Sequence, residues 1–203
     1  MHDSVPQAGP VMQMFEYVIV LISIVIGLAL THLMQRIAGL IQHPTRARVW
    51  WVHLVWVAYM FLSIVFWWWW EFQLQHIETW TFSIYLFVVF YAFYLYLICA
   101  MLFPRDLEGY DGYQDYFLAR RGWFFGLLIG WAAIDTIDTW IKGPEYFASL
   151  GATAMIFNVV LALCGVVGMI TRRGAIQAAI AVGQLAYLLL GVLRLFNMVS
   201  SAV

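Results

Sequence analysis

The chain has 203 residues, of which 65% are hydrophobic and 10% charged, and its mean hydropathy is +0.85. Soluble domains carry roughly 25% charged residues, so this composition excludes a water-soluble globular protein. The net charge of −1 gives no electrostatic basis for nucleic-acid binding. The length leaves room for one membrane domain, residues 1–203, and for no separate catalytic domain.

Six apolar segments fill nearly the whole chain, and each has about the 20 residues that a helix needs to cross a hydrocarbon core of about 30 Å. Turn-forming residues separate the segments, notably Pro44, Pro104 and Pro144. The sequence predicts an all-α membrane protein with six transmembrane helices, helices 1 to 6, at about 14–36, 50–71, 80–103, 122–142, 146–171 and 175–199.

Basic residues are distributed unevenly between the two ends of these helices. Among the basic residues that flank loops, Lys142 is the single one at one end, and eight arginines lie at the other: Arg36, Arg46, Arg48, Arg105, Arg120, Arg121, Arg172 and Arg173. Because cytoplasmic loops retain basic residues, the arginine-bearing end is predicted to be cytoplasmic and both termini extracytoplasmic. Acidic residues then lie outside, at Asp3, Glu16, Glu71, Glu78 and Glu145.

Tryptophans cluster at both predicted ends of helix 2. Trp50 and Trp51 fall at the cytoplasmic interface, and the four tryptophans at 67–70 fall at the outer one. Amphipathic indole rings are enriched at headgroup level. Both clusters are therefore predicted to be interfacial anchors that form aromatic belts.

Small residues recur about one turn apart on four predicted helices, and such residues let membrane helices approach closely. They predict packing seams at Ser23, Gly27 and Thr31, at Gly126 and Gly130, at Gly165 and Gly168, and at Ala175, Ala179 and Gly183. Helix 3 carries no charge and is predicted to face lipid or a neighbouring subunit.

Ionisable residues inside the predicted spans are the main candidates for function, because each costs a few kcal/mol at the bilayer centre. Asp135 and Asp138 are three residues apart and share one face of helix 4. Arg194 lies near the outer end of helix 6, and Glu16 and Glu71 reach the same level from helices 1 and 2. These residues predict an outward-facing acidic vestibule with one embedded arginine.

A polar track follows one face of helix 6, within an arc of about 100°. It comprises Gln177, Gln184, Tyr187 and Arg194, and Asn158 of helix 5 is predicted to complete it at mid-depth. Such a track can guide water, protons or small cations, with Asp135 as the binding or relay carboxylate. The predicted ion pathway comprises Asp135, Asp138, Arg194, Gln184, Asn158, Glu16 and Glu71.

The same residues also allow a structural interpretation. Asp138 and Lys142 have the i, i+4 spacing of an acid-to-base pair at a helix end, and Arg194 can neutralise Asp135 across two helices. The two glutamates at the outer helix ends can extend their carboxylates to the interface. The spacing of these residues is consistent both with an ion pathway and with a structural role.

His32 and His53 form a second candidate site, at similar depth on the cytoplasmic side of a helical hairpin. Two imidazoles can ligate a metal or a haem iron. The spacing gives no sign of the gap between helices that a haem requires, so we expect interfacial histidines with satisfied hydrogen bonds and no cofactor.

The longest predicted cytoplasmic loop, FPRDLEGYDGYQDYFLARR, interleaves acids with tyrosines. It lacks the ordered oxygen-ligand spacing of an EF-hand. We expect an interfacial segment with tyrosines toward lipid and acids toward water, or alternatively a weak divalent-cation or partner surface.

Three segments resemble a group of bacterial six-helix membrane proteins of unknown function. They are FEYVIVLISIVIGLALTHLMQRI at 15–37, WWVHLVWV at 50–57 and ARRGWFFGLL at 119–128. The resemblance implies a location in the bacterial inner membrane and no particular activity.

No sequence motif names a reaction, because HExxH, GxSxG and Walker patterns are absent. Asp135 and Asp138 leave an intramembrane hydrolase as a minor alternative. We expect a small cation or proton channel or transporter, assembled as a homo-oligomer because six short helices enclose little volume. The alternative is an accessory or scaffolding subunit whose partners are other membrane subunits.

Overall fold

A computed structural model describes residues 10–43, 48–77 and 79–200. Their regular elements are α1 (Pro10–Gln42), α2 (Trp51–Trp70), a 3₁₀ helix (Glu71–His76), α3 (Phe82–Leu102), α4 (Tyr113–Ile141), α5 (Pro144–Ile170) and α6 (Gly174–Ser200). The predicted all-α class is confirmed for these residues. Asp3, Arg46 and Glu78, which contributed to the predicted orientation, lie outside them.

Helix length and composition are those of a multi-pass membrane protein. Within the described ranges, five helices are long and apolar enough to cross a membrane: Met14–Gln42, Trp51–His76, Phe82–Leu102, Tyr113–Ile141 and Gly174–Arg194. The remaining long helix, α5, has 27 residues and contributes the shorter apolar stretch Met155–Ile170.

Successive helices run up and down, so their termini gather at two ends. At one end, which we call the arginine end, the Tyr113 amide that begins α4 donates to the Arg48 carbonyl just before α2. At the other, the Lys142 end, the ammonium that follows α4 reaches Glu71 just after α2. α4 packs on α3 and α5, α1 on α3, and α2 on α6.

The first two turns of α4 come from the segment predicted to be an interfacial loop, so this helix begins at Tyr113 rather than near 122. Gly112 precedes it with φ of 151°, and a methyl group there would lie 2.8 Å from the Arg48 carbonyl oxygen. The Tyr116 hydroxyl donates to the Met101 carbonyl at 2.8 Å. The expected lipid-facing orientation is thus wrong for Tyr113 and Tyr116, which are buried because each finds a partner inside the protein.

Glycines set the close contact between α4 and α5. A methyl group on Gly168 would lie 2.5 Å from the Phe125 ring, and one on Gly165 would lie 2.7 Å from Ile129. A methyl group on Gly130 would likewise clash with the Tyr94 hydroxyl of α3. Lipid is as apolar as these side chains, so close packing is what holds the helices together. The predicted seams at these glycines are confirmed.

Other small residues face outward instead. A methyl group on Gly27, Gly126 or Gly183 would meet no other described atom within 4 Å. Ala175 and Ala179, which share a stripe with Gly183 on α6, are exposed. Among the described residues, Gly27 and Gly183 therefore do not pack closely on another helix, although Ser23 of the seam predicted on α1 does contact α2.

Helix α3 is buried on one face and exposed on the other, although its lack of charge predicted a lipid- or subunit-facing helix. It packs against α1, α2 and α4. Its buried residues include Val88, Tyr91, Ala92, Leu95, Ile98, Cys99 and Leu102, and its exposed face carries Phe82, Leu86, Phe90, Phe93 and Leu97. Hydropathy alone cannot separate these faces, because both are apolar.

The outer tryptophans split between anchoring and packing roles. Trp69 is exposed, as an interfacial anchor requires, but Trp67 is buried with its ring centroid 4.8 Å from that of Tyr91. The Trp68 indole donates to the Ser23 hydroxyl at 2.9 Å and so joins α2 to α1. Only part of the predicted outer belt therefore faces the interface.

Candidate functional site

An ion cluster is buried at the Lys142 end, and we call Glu71, Asp138 and Lys142 the Lys142 cluster. The ammonium lies 2.8 Å from Glu71 Oε1 and 2.5 Å from Asp138 Oδ2. All three side chains are at most 3% exposed. The i, i+4 spacing of Asp138 and Lys142 brings these two together on α4, and the 3₁₀ helix after α2 supplies Glu71.

Charge is not balanced within the Lys142 cluster, because two carboxylates share one ammonium. Glu71 Oε2 and Asp138 Oδ1 are buried and have no hydrogen-bond partner among the described residues. A buried carboxylate oxygen without a donor is costly, and more so in a membrane. The cluster therefore has a deficit of positive charge that a proton or a cation would remove.

Asp135 lies one turn before Asp138 and is held by neutral donors. The Tyr91 hydroxyl donates to Oδ1 at 2.8 Å, and the Asn158 amide donates to Oδ2 at 3.0 Å. Tyr91 in turn accepts from the Trp131 indole at 2.8 Å. Three helices, α3, α4 and α5, thus fix the orientation of one carboxylate.

Asn158 also has unused hydrogen-bonding capacity. Its amide nitrogen donates to Asp135 and, at 3.1 Å, to the Thr136 hydroxyl. Its carbonyl oxygen is buried and unpartnered within the described bundle. Asp135, Asn158 and the Lys142 cluster consequently place three carboxylates, one ammonium and several free acceptor atoms near the ends of α2 and α4.

Three residues of the predicted ion pathway are not part of the site defined above, namely Arg194, Glu16 and Gln184. Arg194 and Glu16 are exposed, and neither makes an ion pair in the part of the chain that the structure describes. The predicted Arg194–Asp135 pair is absent there, because Arg194 faces outward while Asp135 turns toward Tyr91 and Asn158. Lys142 supplies the buried cation instead.

The polar track of α6 divides into residues with different roles. Gln177 donates to the carbonyls of Gly168 and Thr171, both at 2.9 Å, and so secures the end of α5. Tyr187 stacks on Phe157 with ring centroids 5.3 Å apart. Gln184 is buried, and its carbonyl oxygen has no partner in the described ranges. Gln177 Oε1 and Gln184 Oε1 are thus both buried acceptors without a partner in the described ranges.

The two candidate histidines lie in separate environments at the arginine end. His53 is fully buried between Tyr113 and Phe103, with ring centroids 4.8 Å from each. His32 is half-buried and meets Tyr96 edge-on at 6.2 Å. No cluster of three or more metal-ligating side chains occurs in residues 10–43, 48–77 and 79–200. His53 is thus not the interfacial histidine that the sequence predicts.

Sequence reasoning missed Tyr91 and Trp131, which complete the Asp135 site. Neither was singled out, because both lie in otherwise apolar segments, although each carries a polar atom that needs a partner when buried. Their positions in the middle of apolar helices are the signal that could have found them. These positions do not indicate which carboxylate the two side chains would contact.

Comparison with known proteins adds no information about the role of these residues. No protein-family profile, no curated protein and no solved structure matches the chain.

Proposed function

We propose that the protein binds protons or small cations at the Lys142 cluster and conducts them across the membrane as a channel or transporter. One observation carries the proposal, namely two buried carboxylates with a single ammonium between them. A purely structural salt bridge needs only one acid. The second acid and the free oxygens on both give the cluster somewhere to bind a positive charge.

Asp135 extends the proposed site toward the middle of the bilayer. It lies three residues before Asp138 on α4, and a cation or proton leaving the Lys142 cluster would meet it next. Its neutral donors, Tyr91 and Asn158, orient the carboxylate without cancelling its charge. Asp135 is therefore proposed as a relay, and Asp138 and Glu71 as the entry site.

The proposed topology has six membrane spans with both termini outside, in a bacterial inner membrane. α5, whose 27 residues are enough to cross, supplies the sixth span. The arginine end is then cytoplasmic. Reporter fusions test this arrangement: a fusion at Gly143 should report an outside location and one at Gly174 an inside location. An inside signal at Gly143 would contradict it.

The direct test of the proposed function is ion flux in proteoliposomes. Proton, Na⁺ and K⁺ fluxes are compared between the wild type, Asp138→Asn and Asp135→Asn, with Glu145→Gln as an exposed acidic control at the same end. We expect flux in the wild type and the control, and at least a ten-fold loss in both aspartate variants. Equal flux in all four proteins would overturn the assignment of the site.

A second candidate function is that of an accessory subunit in a larger membrane complex. The observation in its favour is the pair of exposed small-residue faces, Gly27 on α1 and Gly183 on α6, on which a neighbouring helix could pack closely. The same faces would serve a homo-oligomer. Absence of flux in the wild type, together with copurification of another membrane protein in native mass spectrometry, would favour this alternative.

A further inference from the structure

One face of α2 carries a series of buried polar groups, which we call the α2 polar face. At each position at least one polar atom has no hydrogen-bond partner among the described residues. Native proteins leave few such atoms, and each requires an explanation. The six positions are at most 3% exposed, and their free atoms are His53 Nδ1, Trp56 Nε1, the Tyr59 hydroxyl, the Ser63 hydroxyl, Trp67 Nε1 and Glu71 Oε2.

The spacing of these residues is regular. Successive members are three or four residues apart, and at 100° per residue they fall within an arc of about 120°. From His53 to Glu71 the helix rises about 27 Å, which approaches the thickness of the hydrocarbon core, about 30 Å. The α2 polar face therefore runs from the arginine end to the Lys142 cluster without a break longer than one turn.

The steps along this face match the size of a water molecule. Three or four residues correspond to a rise of about 4.5–6 Å, and two hydrogen bonds in series span about 5.6 Å. The hydroxyls of Tyr59 and Ser63 lie within reach of a direct hydrogen bond but outside its strict geometry, so this step needs no water. Bridging waters at the other steps would satisfy the free atoms.

We propose that the α2 polar face is a proton path, in which waters held by its side chains, in contact with one another past the donor-only indoles of Trp56 and Trp67, connect the Lys142 cluster to His53. The proposal rests on the proposed function and narrows its substrate class to protons. Glu71 holds the proton at one end. His53 takes it at the other, because Nε2 lies 2.7 Å from the Leu102 carbonyl oxygen, which can only accept. Nε2 therefore carries the hydrogen and leaves the lone pair of Nδ1 free.

The chemistry of the lining favours protons over metal cations. The two indole N–H groups donate only, so Trp56 and Trp67 hold waters in place but repel a bare cation. Along the middle of the face there is no carboxylate to replace a hydration shell. A proton needs no such shell. At each transfer between oxygens one O–H bond forms on the acceptor and one breaks on the donor. At the last transfer an N–H bond forms on His53 Nδ1 as the O–H bond of the adjacent water breaks, with no change in oxidation state.

Flux measurements on matched variants test the path. Tyr59→Phe and Ser63→Val remove hydroxyls from the α2 polar face. Tyr94→Phe and Ser23→Val remove hydroxyls that bond to protein groups elsewhere, at the Leu127 and Ile19 carbonyls. We expect at least a ten-fold loss of proton flux in the first pair and wild-type flux in the second.

The outcomes separate this proposal from the proposed function. Full proton flux in Tyr59→Phe and Ser63→Val, with loss of flux in Glu71→Gln, overturns the path but leaves the Lys142 cluster as the binding site. Wild-type protein that conducts Na⁺ or K⁺ but not protons has the same consequence. Wild-type protein with no flux at all overturns both.

Indole hydrogen exchange gives a readout that does not depend on transport or on any variant. Trp131 is the internal reference, since it is buried and its indole donates to Tyr91. In ¹⁵N-tryptophan-labelled protein transferred to D₂O, we expect the Trp56 and Trp67 indole protons to exchange at least ten-fold faster than that of Trp131. Equal protection of all three would show a dry helix face and overturn the path.

Discussion

Three charged side chains at the Lys142 end are buried inside the bundle, whereas the charged side chains at the arginine end are exposed or half-buried. Glu71, Asp138 and Lys142 are at most 3% exposed, while Arg105, Arg120, Arg172 and Arg173 face outward. Exposed charges set the orientation of a membrane protein at little structural cost. Buried charges are costly, so their confinement to one end of the described bundle is the reason we propose the functional site there.

Of the substitutions that test this comparison, removing the Lys142 ammonium should have the largest effect on the free energy of unfolding. Lys142→Met leaves Glu71 and Asp138 buried without a counter-charge, and we expect a loss of about 3–5 kcal/mol in the free energy of unfolding. Unfolding titrations in bicelles measure it. The triple variant that adds Glu71→Gln and Asp138→Asn should recover most of the loss. Failure of that rescue would mean that the lysine acts through packing rather than charge.

Overpacking the α4–α5 seam tests whether stability near the arginine end depends on shape instead. Gly168→Ala places a methyl group 2.5 Å from the Phe125 ring, and we expect a loss of about 1–3 kcal/mol. Gly126→Ala is the control, because no described atom outside its own helix lies within 4 Å of the added group. Equal unfolding midpoints for the two variants would contradict the close seam.

The Asp135 site should respond less than the Lys142 cluster, since its carboxylate is held by neutral donors. Tyr91→Phe leaves Asp135 Oδ1 and the Trp131 indole without their shared partner. We expect a loss of about 1–2 kcal/mol, in the range of single hydrogen bonds inside membranes. Tyr17→Phe, at an exposed tyrosine of α1, serves as the reference in the same titration. A loss above that for Lys142→Met would reverse the proposed ranking.

Neutralising exposed arginines should have the smallest effect on stability. Arg172→Gln with Arg173→Gln removes two charges that face outward, so the unfolding midpoint should not move. The fraction of Gly174 fusions that report an outside location should rise, because the loop then carries less of the charge that retains it in the cytoplasm. A lower midpoint with unchanged orientation would show that these arginines stabilise the fold.

Helix positions were largely predictable because the bilayer imposes a length that hydropathy detects. The start of α4 was not, since Tyr113 and Gly112 dock on Arg48, a contact between distant parts of the chain. The Asp138–Lys142 pair followed from i, i+4 spacing. Glu71 was recognised as a candidate, but its recruitment to Lys142 depends on how α2 packs near α4, which helical periodicity does not report.

The depth of a residue in the membrane was also easier to predict than the direction in which its side chain points. Arg194, Glu16 and Glu71 were placed at the same level, yet Arg194 and Glu16 are exposed and Glu71 is buried. Rise per residue gives a level within the membrane, but which face of a uniformly apolar helix turns inward depends on its neighbours. For the same reason the sequence did not reveal the α2 polar face, because its tryptophans and tyrosine do not stand out from the apolar residues around them.

The contact between Glu71 and Lys142 also has a consequence for biosynthesis. The two residues are 71 positions apart, so α2 is synthesised well before the ammonium that Glu71 contacts. At about 5–20 residues per second this interval lasts on the order of several seconds. Until α4 has been inserted, Glu71 must stay in contact with water or with the insertion machinery. The α2 helix can therefore pack in its final position only after α4 has been inserted. A chain truncated before Lys142 would be readily degraded by membrane proteases.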